Sequence, residues 1–404
     1  MISKLKNLGP GLLFAGAAIG VSHLVQSTRA GADFGLGLLW ALLLVNLFKY
    51  PFFQFGPRYA TATGESLLDG YKKLGKGVLA TYFILSLATM FTIQTAVTIV
   101  TAGLASSLFG DFISIKVWTV IILAICLSLL IFGKYKLLDR LIKIIIITLT
   151  ISTLVAVSMA LFNNTSALSF KQILPENSIE IAFLIAFMGW MPAPLDIAVW
   201  QSLWSIEKNK DTKSYTTKSA LFDFNIGYLG TIILGTGFVL LGTLVMFNSG
   251  ETFSNKAGVF SGQLIKMYTS SLGDWAYIII GVAAFTTMFS TTLTTLDASP
   301  RAMAKTTQLL FKRTPKLNYI FWIALLSIGT IAIFWFLASE MGLLIKIATI
   351  LSFITAPFYA IINYKLICSK HTPKEWHPSK SLHILSILGI VFLIGFSIWF
   401  LTTL

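Results

Sequence analysis

The stretch that decides the fold is residues 187–196, Phe187-Met188-Gly189-Trp190-Met191-Pro192-Ala193-Pro194-Leu195-Asp196. It lies inside an apolar run, residues 178–205, long enough to cross a bilayer, which takes about 20 residues. Each proline removes a backbone donor and clashes with the turn before it. The run therefore predicts a spanning helix broken at its middle. In hydrocarbon such a break must line a cavity or be covered by protein. A second run has the same character: Ala15-Gly16-Ala17-Ala18-Ile19-Gly20-Val21-Ser22-His23 puts small residues, a hydroxyl and an imidazole at mid-span. An ordinary proline kink and a tolerant glycine patch would explain the two features separately. A pair of broken spans five apart instead points to an inverted-repeat transporter with its site at the midplane.

The rest of the chain agrees with a membrane setting. Its 404 residues are 56% hydrophobic and only 11% charged, with a mean hydropathy of +0.81, whereas soluble domains carry about 25% charged residues. Eleven apolar runs follow one another, at about 10–32, 36–62, 77–108, 116–132, 138–162, 178–205, 216–247, 274–298, 317–338, 341–368 and 381–403. No long polar tract divides them, so residues 1–404 are read as one membrane domain. Repeat one covers about 8–165, repeat two about 175–368, and an extra helix about 381–403. The expected class is an all-α polytopic membrane protein of about eleven transmembrane helices.

Charge sets the expected orientation. There are 30 Lys and Arg against 16 Asp and Glu, a net +14. The basic residues sit in short clusters between apolar runs, which excludes a nucleic-acid partner in favour of cytoplasmic loops. With the N-terminus inside, 23 of them fall in inside regions; only Lys116, Lys171, Lys256 and Lys266 fall outside, and Arg29, Lys49 and Lys346 lie within spans. The expectation is a cytoplasmic N-terminus and an external C-terminus. Short loops and no evident cleavable leader suggest a prokaryotic inner membrane. Cys126 and Cys368 are far apart and in apolar segments, so neither a disulfide framework nor a CxxC metal pair is read.

Leu8-Gly9-Pro10-Gly11-Leu12-Leu13, Ala30-Gly31-Ala32-Asp33-Phe34-Gly35 and Leu38-Leu39-Trp40 resemble the first helix region of the Nramp metal-ion transporters (natural resistance-associated macrophage protein). Met191-Pro192 stands where that family has M-P-H, and Pro357-Phe358 where it has P-F. The resemblance implies a LeuT-type 5+5 inverted-repeat fold with helices 1 and 6 broken, alternating access, and proton-coupled uptake of divalent metals. The site departs from the family. The metal-ligating Asp and Asn of its D-P-G-N break are here Gly20 and His23, with Val21-Ser22 between. The M-P-H histidine is Ala193, the acidic residues of helix 3 are Gln94 and Val97, and the helix 10 glutamine is roughly Thr349.

The remaining chemistry falls into two sets. Candidate substrate contacts are Gly20, His23, Met188, Trp190, Met191 and Asp196, with His23, Met191 and Asp196 as metal ligands. A thioether and an imidazole suit borderline transition metals, and carbonyls freed near Gly20 and Met188 would add oxygen donors. Asp196 equally fits a cap on the second half-helix, His23 a relay or polar packing, and Trp190 plain core. Candidate coupling or gating residues are Gln94, Asp223, Thr294, Asp297, Arg301 and Thr349. The run Ser290-Thr291-Thr292-Leu293-Thr294-Thr295 either lines a polar path or bonds back to its own helix. Asp297 and Arg301, four apart, make a gate or a structural pair, and Arg29 with Asp33 a structural one. No phosphate loop, HExxH or nucleophile elbow is present, so the chain is not read as an enzyme. No cofactor is called for. The first reading is a secondary transporter of a divalent metal; the alternative is a carrier of another small solute, with or without Na⁺ coupling, on the same scaffold. A non-transporting sensor has nothing in its favour. The lipid bilayer is the expected partner, and a monomer suffices.

Overall fold

The computed structural model describes residues 9–132, 135–164, 168–211, 215–247, 249–311, 315–337 and 340–403. Lys4, Lys6, Leu8, Lys134, Lys213, Lys312 and Arg313 lie outside them. Among the described residues the regular structure is all helical.

The first run forms two helices, α1 (Pro10–Ala18) and α2 (Ser22–Phe34), bent by 46° across residues 19–21. Pro10 opens α1, where a proline costs no helical bond. The first six residues of α2, Ser22–Ser27, are wound as a π-helix, a form that recurs at functional sites. Next come α3 (Leu39–Thr63), α4 (Leu67–Leu74), α5 (Lys76–Phe109), α6 (Ile115–Phe132) and α7 (Tyr135–Asn163). The sixth run also divides, into α8 (Ser178–Trp190) and α9 (Ile197–Asp211), with Met191 extended and the Met191-Pro192 peptide cis. Then follow α10 (Thr217–Val245), α11 (Ala257–Leu272), α12 (Tyr277–Phe311), α13 (Pro315–Ala332), α14 (Met341–Ile367) and α15 (Lys380–Thr402).

Seven of the described helices are long and apolar enough to cross a membrane, and the bent pair α1–α2 makes an eighth. Large apolar side chains such as Phe132, Ile328 and Val391 stand exposed on the outer helices; lipid, not water, accounts for them. Two short helices escaped the apolar-run reading. α4 begins with a capping box from Ser66 and Asp69, and α11 occupies what was read as an external loop. α12 runs 13 residues beyond its apolar run, through Pro300. Its extension keeps Ala302, Met303, Thr306 and Thr307 buried, packed beside Asn318 and Trp322 of α13.

α10 is the spine of the first span. It packs on both α1 and α2, and glycines make the approach possible. A Cβ on Gly11 would stand 2.1 Å from the Asp223 carbonyl, and one on Gly227 2.1 Å from the Gly11 carbonyl. Small residues let backbones close up where lipid supplies no hydrophobic drive between helices.

Candidate functional site

The two interrupted spans meet around a small cavity of about 20 Å³, room for about one water. Ala17, Ala18, Val21 and Ser22 come from the first break, and Trp190, Ala193 and Pro194 from the second. α5 adds Ile93 and Val97, α9 adds Ile197 and Trp200, and α12 adds Thr291 and Thr295. The wall is mostly apolar. Its hydroxyls are Ser22, Thr291 and Thr295.

The Gly20 and Met188 carbonyls, expected to be free, each accept a hydrogen bond. The Gly20 carbonyl accepts from the amides of His23 and Leu24, because α2 restarts at once and takes Gly20 into its first turn. The Met188 carbonyl accepts a hydrogen bond from Lys49 Nζ at 2.7 Å. Pro192, four residues on, has no N–H to offer it. Thr291 Oγ reaches the Gly16 carbonyl at 3.2 Å, tying α12 to the end of α1.

His23 is fully buried and both ring nitrogens are engaged. Nε2 lies 2.9 Å from the Thr231 carbonyl; Nδ1 lies 2.6 Å from Ser22 Oγ and 3.1 Å from the Ala18 carbonyl. The Ser22 hydroxyl also donates to the Ala18 carbonyl at 2.5 Å, and the imidazole stitches the first break to α10 with both ring nitrogens turned to protein oxygens. Met191 Sδ and His23 Cδ2 both pack toward Gly235 of α10, 3.4 and 3.6 Å from where a Cβ there would sit.

Asp196 immediately precedes α9, the capping position. Its Oδ1 is buried without a hydrogen-bond partner. Its charge acts on Lys49, Tyr71, Tyr82 and Tyr359. Among the described residues no group of three or more His, Cys, Asp and Glu side chains is placed to hold a metal ion. Trp190 lines the cavity with its ring and donates Nε1–H to Ser352 Oγ at 2.8 Å.

The residues read as coupling or gating groups fall into three places. Gln94 bridges α5 and α12: it donates to the Thr292 carbonyl at 3.2 Å and accepts from Thr295 Oγ at 2.7 Å. Asp223 latches α1 to α10. Its Oδ1 accepts from Gly9 N at 3.1 Å, and its Oδ2 from Gly11 N at 2.8 Å and Tyr215 OH at 3.0 Å. Asp297 accepts from Arg301 Nε and Tyr319 OH, both at 2.7 Å, joining α12 to α13. Thr294 and Thr349 do not face the cavity. Thr349 Oγ bonds back to the Ile345 carbonyl at 2.7 Å, and Thr294 Oγ is buried without a partner. The hydroxyls that do face it, Thr291 and Thr295, are four apart and share a helix face; Thr294 is rotated about 100° from Thr295. At the other end, Arg29 donates to Asn255 Oδ1 and the Ser254 carbonyl at 3.1 and 2.6 Å, and its expected partner Asp33 attracts it through space.

Sequence reasoning passed over Trp200, placed Lys49 in a span without giving it a role, and named the Ser290–Thr295 run without telling which of its hydroxyls, Thr291 and Thr295, face the cavity. A lysine in an apolar run is itself a signal. The partners of Lys49, about 140 residues away, were not visible from it.

The natural resistance-associated macrophage protein-like (Nramp) family model matches residues 11–403. A Pasteurella multocida (strain Pm70) protein described as uncharacterised is 36% identical over 406 residues, covering 99% of this chain and 92% of that one. In structure, a manganese transporter of Eremococcus coleocola superposes with a TM-score of 0.74 at 15% identity, covering 96% of this chain and 84% of that one. MhsT, solved in complex with L-phenylalanine, gives 0.68 at 15% identity, with 98% of each chain covered. Likeness at that identity establishes the LeuT-type transporter fold and not a cargo.

Proposed function

Since the chain belongs to the Nramp family, a family of transporters, we propose that it is a secondary active transporter that works by alternating access and holds its cargo between the two broken spans. The observation that carries this reading is the cavity bounded by both breaks at once. Latches stand at both ends of the first span, Asp223 on Gly9 and Gly11 at one and Arg29 on Asn255 and Ser254 at the other. Opening one while the other holds would expose the cavity to one side at a time. On this reading the N-terminus is cytoplasmic, and residues 8–165 and 175–368 are the inverted halves.

The cargo we assign first is a divalent transition metal. Family membership and a buried Met191 that packs, like His23, toward Gly235 support it. Binding would require His23 to leave Thr231 or Ser22. Asp196 Oδ1, with no hydrogen-bond partner, is an anionic donor on the second break. A different small solute is the second reading, favoured by the largely apolar wall with Trp190 and Trp200.

Purified protein in sealed liposomes tests both. Saturable Mn²⁺, Fe²⁺ or Co²⁺ influx, reduced at least about tenfold by Met191→Leu (about 1.4 kcal/mol of binding), is the expected result. Absence of flux for every one of these ions, from protein shown to be folded, would discard the metal assignment in favour of the small solute.

A further inference from the structure

Lys49 is wholly buried at the middle of α3, and its side chain ends at the second break. Nζ donates to the carbonyls of Met188 at 2.7 Å, Gly189 at 2.8 Å and Ala193 at 3.3 Å. An ammonium has three donors, and all three are spent on backbone oxygens of one interrupted strand of chain. Those oxygens need a partner for a covalent reason. In a continuous helix the Met188 carbonyl would accept from residue 192, which is a proline without an N–H, and the Gly189 carbonyl from residue 193, where the chain has already turned away. The end of α8 also carries the negative pole of its helix dipole. Asp196, at the start of the next half-helix, attracts the same ammonium through space, and one of its oxygens lacks a hydrogen-bond partner. Three backbone oxygens converging on one point at a helix C-terminus, with a carboxylate's charge in range, are the surroundings of a bound monovalent cation.

We propose that Lys49 is a tethered counter-cation: its ammonium holds the place a free cation would take at the break of the sixth span, so this break is assembled without an ion drawn from solution. Two consequences follow. The carbonyls of Met188, Gly189 and Ala193 are closed to cargo, which must be held by side chains and by the first break. No Na⁺ or K⁺ is coupled at this position, and this second consequence rests on the transporter reading above.

The test is chemical rescue in the full-length protein in detergent. Lys49→Ala removes the ammonium and leaves the oxygens. Its Tm is expected to fall by roughly 5 °C or more and to recover, saturably, with methylammonium, Na⁺ or K⁺ chloride at constant ionic strength, but not with N-methylglucamine chloride. Wild-type Tm should be indifferent to the same exchange. Lys49→Met, of similar length without the charge, serves as the second variant. Wild-type stability of Lys49→Met, or a destabilised Lys49→Ala that no small cation restores, would overturn the proposal. If Lys49→Ala does not accumulate, failure of Lys49→Met to reach wild-type Tm supports it and wild-type Tm in Lys49→Met refutes it. The readout is stability, so a wild-type protein that carries no metal would sink the cargo assignment and leave this result standing.

Discussion

Asp223 shows how one carboxylate completes a helix that cannot complete itself. The first amides of α1 have no intrahelical acceptors, and Pro10 between Gly9 and Gly11 brings none of its own. Asp223 accepts from both flanking amides, and its charge suits a helix N-terminus. Asp223→Asn keeps the size and loses one acceptor and the charge. It should lower stability by about 1–3 kcal/mol and loosen the start of α1. A cysteine placed at Gly9 would then react faster with a maleimide in the Asp223→Asn background. Equal labelling rates in both backgrounds would rule out the latch. His23 illustrates the opposite lesson. An imidazole at a break reads as a ligand, yet here its two nitrogens are spent on Ser22, Ala18 and Thr231. Donor chemistry is a property of the residue, whereas availability is a property of its neighbours.

Among elements, the seam between α1–α2 and α10 is set by glycine. Gly11→Ala and Gly227→Ala each place a methyl about 2.1 Å from a backbone oxygen, so the helices must separate. Each should cost at least the 1–3 kcal/mol typical of overpacking, and more if the Asp223 bonds are broken as well. Gly230→Ala, on the same helix with nothing within 4 Å of the added Cβ, should be neutral or slightly stabilising, by up to about 1 kcal/mol. Melting the three variants side by side decides it. If Gly230→Ala melts as low as Gly227→Ala, helix propensity and not the seam sets the order. The broken spans were legible at this scale because a proline's missing N–H is a local fact. α11 and α4 were not, since short amphipathic helices give no long apolar run, and the extension of α12 is held by α13 and not by hydropathy.

For the whole molecule, orientation is the quantity to measure. The asymmetry of 23 inside to four outside basic residues predicts that a cysteine replacing Lys374 is labelled only from the cytoplasm and one replacing Lys256 only from outside, with impermeant reagents on intact cells. Reversed labelling would invert the proposed direction of each latch; labelling of both from one side would break the span count. The exposed apolar band across α6, α13 and α15 is the surface this topology assigns to lipid.

Composition, run length, charge clusters and the two interruptions determined by themselves that this chain is a helical membrane protein with two broken spans. Those signals are local: twenty apolar residues span a bilayer and a proline breaks a helix wherever the rest of the chain lies. Met191, Trp190 and Asp196 were legible for the same reason, as unusual side chains at a visible break. What only the tertiary structure decided is which group answers each orphaned donor or acceptor. Lys49 finds Met188 across 139 residues, His23 finds Thr231 across 208, and Asp223 finds Gly9 across 214. A buried polar group must be paired, but with whom depends on which helices pack together, and no spacing along the chain encodes that.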